Sequence, residues 1–114
     1  MASPGDVFRL TRRVGFGDDD AQHVVILQAA RLNAVLPTIV VAPIDESHAM
    51  YAHNPLLVPV SAGESGLGRD GVVVLTAMGA IARLRLEGSR VGRLEPSTLA
   101  TVHHATAILL GLAG

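Results

Sequence analysis

Apolar residues along this chain gather in short runs that end at glycine, proline, asparagine or aspartate. In the run 5–12 polar and apolar residues alternate, which predicts a strand with one buried face. The runs 23–28 and 38–44 are continuous and rich in β-branched residues, and such runs are typical of strands buried on both faces. We expect a polar loop over 13–21 between the first two strands, and we expect Pro43 to end the ladder of the third strand.

Shorter runs continue the strand pattern. One of them contains Pro59, whose missing N–H is tolerated only at an edge or a bulge, so this fourth strand is predicted at an edge of the sheet. In chain order the runs predict the edge strand over 56–60, a turn over 61–66, a buried strand over 71–76, a strand or short helix over 81–86, and a short strand over 88–94.

The period of the apolar residues changes at the C-terminal end of the sequence. From residue 99 onward they recur every three or four residues and form one stripe, as on a helix. Pro96 fits the first turn of that helix, and Gly111 is a suitable stop. The stripe consists of Leu99, Val102, Thr106, Leu109 and Leu112. Strands followed by one helix predict a mainly β fold, a small β-barrel with a C-terminal α-helix, rather than a βαβ sheet.

Length and composition limit the class of protein. The 114 residues suit a single domain over 1–114, and the absence of cysteine excludes disulfides and thiolate metal sites. No apolar stretch approaches the roughly 20 residues of a membrane span, so we expect a soluble, cytoplasmic protein without a membrane partner. The net charge of −1 gives no overall attraction to nucleic acid, so any RNA site must be a local patch.

Several motifs occur in a set order along the chain. They are Gly5-Asp6-Val7, the run from His23 to Gln28 that leads to Asn33, Val41-Ala42-Pro43-Ile44, Gly68-Arg69-Asp70-Gly71-Val72 and Gly92-Arg93-Leu94. In this order and spacing the chain resembles the MazF/PemK toxins of type II toxin–antitoxin systems over nearly its whole length. The resemblance implies the SH3-like barrel of the MazF/CcdB group, usually a homodimer that a cognate antitoxin peptide wraps and inhibits. It also implies metal-independent cleavage of single-stranded RNA, with no cofactor.

The resemblance also points to a site. An arginine and a threonine usually serve catalysis in the family, and they fall on Gln22 and Asp45 here. Gln22 can donate a hydrogen bond but carries no charge, whereas the Asp45 carboxylate can accept a proton but repels the scissile phosphate. An Asp-Gln pair that family members often carry falls on Thr76 and Ala77, and the basic residue that follows it falls on Gly79. Several polar positions have therefore changed together.

The stretch ahead of Gln22 differs as well. Residues 17–21 read Gly-Asp-Asp-Asp-Ala where the family commonly has Ser-Glu-Gln-Gly-Gly, and three adjacent carboxylates should repel RNA. Together with His23 or His48 these carboxylates could hold a hard cation, although a solvated acidic loop is the more common outcome. We therefore predict no metal site.

His23 is the remaining acid–base candidate, because imidazole titrates near neutral pH. It could instead be an ordinary histidine at a strand start, and since neighbouring strand residues face opposite sides it could point away from Gln22. Asp45, Ser47 and His48 form a polar cluster that could pair with His23 or simply cap a solvated turn. The candidate catalytic set is thus Gln22, His23, Asp45 and Ser47.

Other polar groups have plainer explanations. His103 and His104 are neighbours on the predicted helix, so one should face solvent and the other the packing edge. The densest basic stretch alternates with apolar residues, and we expect a solvated strand face rather than an RNA track. It contains Arg83, Arg85, Arg90 and Arg93.

Three functions remain open from the sequence. The first is a toxin that cuts RNA with a shifted set of catalytic groups. The second is a catalytically inactive toxin-fold protein that binds an antitoxin-like partner or nucleic acid without cutting, which the substitutions at Gln22 and Asp45 favour. The third is an unrelated small β-barrel that binds a small molecule or a peptide.

Overall fold

The continuous apolar runs of the sequence form the centre of an antiparallel sheet. The computed structural model describes residues 2–16, 19–46 and 54–113. The strands are β1 (Asp6–Phe16), β2 (Asp19–Ile26), β3 (Thr38–Asp45), β4 (Leu57–Val60), β5 (Gly71–Val74), β6 (Gly79–Ala82) and β7 (Leu86–Arg93). The helices are α1 (Ala30–Asn33), α2 (Ala62–Ser65) and α3 (Pro96–Leu109), and 3₁₀ turns span Leu75–Ala77 and Arg83–Arg85.

β3 organises the sheet because it pairs with three different strands. The strand order is β4-β5-β3-β2-β1-β7, and β6 also pairs with β3. Residues 38–41 of β3 pair with β6, residues 41–43 with β2, and Ile44 and Asp45 with β5. The prediction that Pro43 ends the ladder of the third strand is therefore wrong, because β3 continues to pair with β5 at Ile44 and Asp45, and Pro43 ends only the ladder with β2.

The edge position predicted for the strand that contains Pro59 is confirmed, since β4 ends the strand order. Among the described residues no ladder joins β4 to β7, so the sheet is not closed by hydrogen bonds. Instead α2, which follows β4, packs against β7. The approach is close: a Cβ on Gly92 would overlap the Ser65 carbonyl oxygen, and Gly66 has a φ of +75° with its backbone against the carbonyl of Val91. The mainly β fold with a C-terminal helix is confirmed.

Two apolar clusters form the core. One includes Val7, Val25 and Ala42 and is covered by Val102 and Ala105 of α3. The other gathers Phe8, Leu10, Val24, Ile26, Ile39, Val41 and Ile81. Full burial of residues 24–26 fits the prediction that β2 lies between packed layers.

The terminal helix begins and ends where the sequence predicts. Pro96 is its first residue, and Gly111 adopts a φ of +75° just beyond its end. Leu112 was predicted in the buried stripe, but it lies after that glycine and is 78% exposed. The prediction that one of His103 and His104 lies at the packing edge is also wrong, because both are exposed.

Other expectations need correction. The polar loop predicted over 13–21 is wrong in its extent, because β1 continues to Phe16, β2 starts at Asp19, and these residues pair in a hairpin. The stretch 81–86 is divided among the end of β6, a 3₁₀ turn and the first residue of β7. The predicted turn over 61–66 contains α2, whose N-terminus is capped by a reciprocal pair of hydrogen bonds between Ser61 and Glu64.

Candidate active site

Two of the candidate positions lie at the same level of neighbouring strands. β2 and β3 pair with Val24 opposite Pro43, and continuing this register by two residues sets Gln22 level with Asp45. Both residues are half-buried. The ladder between the two strands ends at Pro43, and Asp45 pairs with Val72 of β5. The two positions that the resemblance assigns to an arginine and a threonine therefore lie near the point where β3 passes from β2 to β5 as its partner.

The Gln22 side chain contacts a guanidinium group. With its amide oriented so that the oxygen faces the donors, Gln22 Oε1 accepts hydrogen bonds from Arg9 Nε at 3.2 Å and from Arg9 Nη2 at 2.8 Å. Arg9 Nε also lies 3.8 Å from Glu87 Oε2 of β7, and both side chains of this ion pair are about half exposed. Arg9 was not among the candidate residues predicted from the sequence. The Arg9 guanidinium therefore lies beside Gln22, the position where the resemblance would set an arginine.

His23 is placed beside the same arginine. Arg9 and His23 are directly opposite each other in the β1–β2 ladder, and opposite residues of an antiparallel pair share a face. The next pair in the ladder is Val14 with Ala21, so residues 10–13 of β1 oppose only Gln22 of β2. This bulge relaxes the strict alternation of side chains next to the candidate site. Arg9 thus shares a level with His23 and a hydrogen-bond contact with Gln22.

The end of β3 carries a second ion pair. Arg69 Nε lies 3.6 Å from Glu46 Oε1, and the Arg69 side chain is largely exposed. Thr76 and Ala77, which stand where the family often has Asp-Gln, lie in the 3₁₀ turn after β5, and Gly79 begins β6. Ser47, the remaining member of the predicted catalytic set, lies outside the described residues, so its role stays a prediction.

The basic stretch is exposed but not simply solvated. Arg90 Nη1 and Arg93 Nε lie 3.2 Å and 3.5 Å from Oδ1 of Asp6, a carboxylate that is only 2% exposed. Arg83 Nη1 donates to the Asn33 carbonyl at 2.7 Å. These contacts border a groove of about 720 Å³. The predicted exposure therefore holds for Arg83, Arg90 and Arg93, each of which also contacts another part of the fold, but not for Arg85, which is half-buried.

Metal and membrane chemistry find no support among the residues that the structure describes. No cluster of three or more histidine, aspartate or glutamate side chains within 2–16, 19–46 and 54–113 has the arrangement of a metal site. Asp18 and His48, which the cation hypothesis used, lie outside these ranges. No helix in the described part of the chain is long and apolar enough to cross a membrane.

The same arrangement of strands and terminal helix occurs in solved bacterial toxins. The chain is 22% identical to the Mycobacterium tuberculosis toxin MazF-mt6, with a TM-score of 0.75 over 96% of this chain and 99% of that one. It is 20% identical to the match in a MazE-MazF structure from Deinococcus radiodurans, with a TM-score of 0.74 over 97% of each chain. It is 19% identical to a chain in a mycobacterial endoribonuclease in complex with its cognate antitoxin, with a TM-score of 0.75 over 100% of this chain and 99% of that one. These likenesses establish the class of fold.

Residues 4–110 match the family model described as PemK-like, MazF-like toxin of type II toxin-antitoxin system. The match covers nearly all of the chain, so the protein belongs to this toxin family. The resemblance seen in the ordered sequence motifs is thereby confirmed.

Proposed function

We propose that this toxin is a metal-independent endoribonuclease that acts on single-stranded RNA. The observation that carries the proposal is the register of β2 and β3, with Val24 opposite Pro43. Continued by two residues, it sets Gln22 level with Asp45, and the family resemblance assigns its catalytic arginine and threonine to these two positions. Support also comes from similar structures described as endoribonucleases.

The reaction needs no group beyond protein side chains and the RNA itself. A base removes the proton of a ribose 2′-OH, the 2′-oxygen attacks the adjacent phosphorus, and the bond from phosphorus to the 5′-oxygen breaks. The departing 5′-oxygen takes up a proton, which leaves a 2′,3′-cyclic phosphate and a 5′-hydroxyl. Imidazole suits both proton transfers near neutral pH, so His23 is the acid–base group in this proposal. The ionised Asp45 carboxylate could only accept the proton of the 2′-OH, since it has no proton to donate. Its negative charge also repels the phosphate.

The proposal includes partners. Similar structures are described as MazE-MazF complexes or as a toxin with its cognate antitoxin. By this likeness the chain pairs with an antitoxin peptide, which blocks its access to RNA, and acts as a homodimer. Size-exclusion chromatography with light scattering measures the dimer, and co-expression with the neighbouring small open reading frame tests the antitoxin.

A cleavage assay in chelator tests the enzymatic part. Purified protein is incubated in EDTA with a single-stranded RNA and with the DNA of the same sequence. We expect RNA fragments that end in a 2′,3′-cyclic phosphate and intact DNA, because only RNA carries the nucleophile. The proposal fails if the RNA stays intact while an active member of the family cuts it in the same buffer.

A second function is favoured by the substitutions at Gln22 and Asp45. An uncharged amide and a carboxylate at these positions weaken phosphate stabilisation, which suits a toxin-fold protein that binds an antitoxin-like partner or nucleic acid without cutting. The double variant Gln22→Arg/Asp45→Thr separates the two functions. If the wild type does not cut RNA and the double variant does, the binding function is supported. If the wild type is toxic on expression, the binding function is contradicted.

A further inference from the structure

We infer that Arg9 is the phosphate-binding cation of the candidate site and that Gln22 positions its guanidinium group. The inference rests on the proposed function and adds a residue to it. Attack on phosphorus builds negative charge on the phosphate oxygens, and fixed positive groups stabilise that charge. The set predicted from sequence, Gln22, His23, Asp45 and Ser47, contains no permanent cation. A cation must therefore come from elsewhere in the fold.

The hydrogen bonds of Arg9 leave much of its guanidinium available. A guanidinium has five N–H groups in a rigid fork, and the amide oxygen of Gln22 takes one from Nε and one from Nη2. Because the Gln22 amide is neutral, it orients the guanidinium without neutralising its positive charge. The remaining N–H groups include both on Nη1, and a phosphate is the acceptor whose geometry fits such a fork. With its side chain 52% exposed, Arg9 is accessible to a large substrate.

Glu87 is the group that RNA must compete with. Its Oε2 atom lies 3.8 Å from Arg9 Nε, beyond hydrogen-bond distance, and its side chain is 53% exposed. Exposed pairs with this geometry contribute little and are screened by salt. A phosphate can therefore replace Glu87 at Arg9 at small cost, and removal of the Glu87 charge should tighten RNA binding.

The strand ladder sets the acid–base candidate next to the same cation. Because Arg9 and His23 are opposite each other, their side chains leave β1 and β2 on one face. Gln22 adjoins His23 along β2, so Arg9 is hydrogen-bonded to one of these two neighbours and lies opposite the other. The positive charge thus lies on β1, while the family position on β2 carries the amide that orients it.

The test moves the guanidinium between the two strands. Four variants are compared with the wild type: Arg9→Gln, Arg9→Lys, Glu87→Gln and the exchange variant Arg9→Gln/Gln22→Arg. The matched control is Arg69→Gln, which removes another exposed arginine that is paired with a glutamate. Each protein is assayed for RNA cleavage in EDTA and for binding of a single-stranded 2′-O-methyl oligonucleotide, which cannot supply the nucleophile. Thermal unfolding verifies that each variant is folded.

Expected results follow from the loss of one phosphate contact. Arg9→Gln should lower the cleavage rate about 10²- to 10³-fold, as the loss of one stabilising donor does in other enzymes. Its binding should weaken, and the slope of log affinity against log salt should fall by about 0.7, the value for one phosphate of a single strand. Arg9→Lys should keep the salt slope, the exchange variant should recover part of the cleavage, and Arg69→Gln should behave as the wild type.

The outcomes separate this inference from the proposed function. Wild-type cleavage with equal rates in Arg9→Gln and Arg69→Gln overturns the role of Arg9 and leaves the enzyme assignment intact. Binding without cleavage by the wild type, with binding lost in Arg9→Gln, supports Arg9 as the phosphate ligand and overturns the proposed cleavage. Absence of both binding and cleavage overturns both.

Discussion

The Glu64 side chain accepts a hydrogen bond through Oε1 from the backbone N–H of Glu95 at 3.0 Å, which joins α2 to the residue just before α3. Its other oxygen, Oε2, accepts from the backbone N–H of Ser61 at 3.0 Å, and the Ser61 hydroxyl accepts from the Glu64 N–H. One carboxylate thus caps α2 and holds the approach to the terminal helix. The segment that packs against β7 and the helix that covers the core depend on the same side chain.

Replacement of Glu64 should therefore destabilise the fold. We expect Glu64→Ala to lower the free energy of unfolding by about 1–2 kcal/mol, since it removes a capping box and a further backbone contact. Glu64→Gln, which keeps one acceptor oxygen, should cost less. Denaturant unfolding measures both, and Glu87→Gln serves as the control because Glu87 lies in an exposed ion pair. Equal stability of Glu64→Ala and wild type would contradict this role.

Stability should also depend on pH through Glu64. Burial raises the pKa of this carboxyl, but hydrogen bonds from the backbone of Ser61 and Glu95 and from the side chains of Thr98 and Ser61 lower it by more, so the net pKa is below its ordinary value of 4.5. A lowered pKa in the folded state gives stability that is present above pH 4.5 and lost as the pH falls through the folded value.

The comparison of Glu64→Gln with wild type isolates this contribution. The difference in unfolding free energy between the two proteins should be constant near neutral pH and shrink as the pH falls below 4.5. Urea titrations at neutral pH and at a series of acidic values measure the difference. If the difference in unfolding free energy stays the same at every pH of that series, the charge of Glu64 does not contribute to stability.

Asp6 is the buried member of an ion-pair cluster. Its carboxylate contacts Arg90 and Arg93 and accepts from the Ser3 N–H at 3.0 Å. We expect Asp6→Asn to lower the unfolding free energy by about 2 kcal/mol, because hydrogen bonds to a charged group are lost at a buried position. Arg69 offers the control, because its side chain is 72% exposed where it pairs with Glu46, and Arg69→Gln should change stability by less than about 0.5 kcal/mol. Similar losses in the two variants would refute the distinction.

The contact of Gly92 with Ser65 allows a test of the approach between β7 and α2. A Cβ at Gly92 would overlap the Ser65 carbonyl oxygen, so Gly92→Ala should cost about 1–3 kcal/mol through forced backbone movement. Gly63 lies in α2 with nothing within 4 Å of a Cβ, and Gly63→Ala should stabilise the protein slightly. In thermal unfolding, glycine-to-alanine substitution should therefore lower the melting temperature at Gly92 and raise it slightly at Gly63. A Gly92→Ala protein as stable as wild type would exclude the tight contact.

Apolar periodicity was sufficient for the elements that form the core. β2, β3 and α3 bury long apolar runs or stripes, and such patterns are local in sequence. Residues 13–16 and 19–21 show no clear apolar period, so only the pairing of β1 with β2 reveals them as strand. Four-residue helices such as α1 and α2 are too short to show a period at all.

The sequence was sufficient to name the candidate positions but not the arginine that lies beside them. Family motifs indicated Gln22 and Asp45, and the alternation over 5–12 predicted only a strand with one buried face. Which residue of β2 meets Arg9 depends on the register of the ladder and on its bulge, and a shift by one residue would reverse the faces. A nonlocal pairing thus sets the Arg9 guanidinium beside Gln22, which the sequence motifs do not indicate.

His23 lies opposite Arg9 in the β1–β2 ladder, so the imidazole proposed as the acid–base group shares a face with a cation. We expect His23→Asn to lower the rate of RNA cleavage about 10²- to 10⁴-fold, the usual loss when a positioned acid or base is removed. Binding of the 2′-O-methyl oligonucleotide should change far less, since proton transfer is not needed to bind. The wild-type rate should vary between about pH 5 and 8, where imidazole titrates, and the variant rate should be flatter. His103→Asn, on the exposed side of α3, is the matched control. Equal cleavage by the two histidine variants would assign the proton transfers to another group.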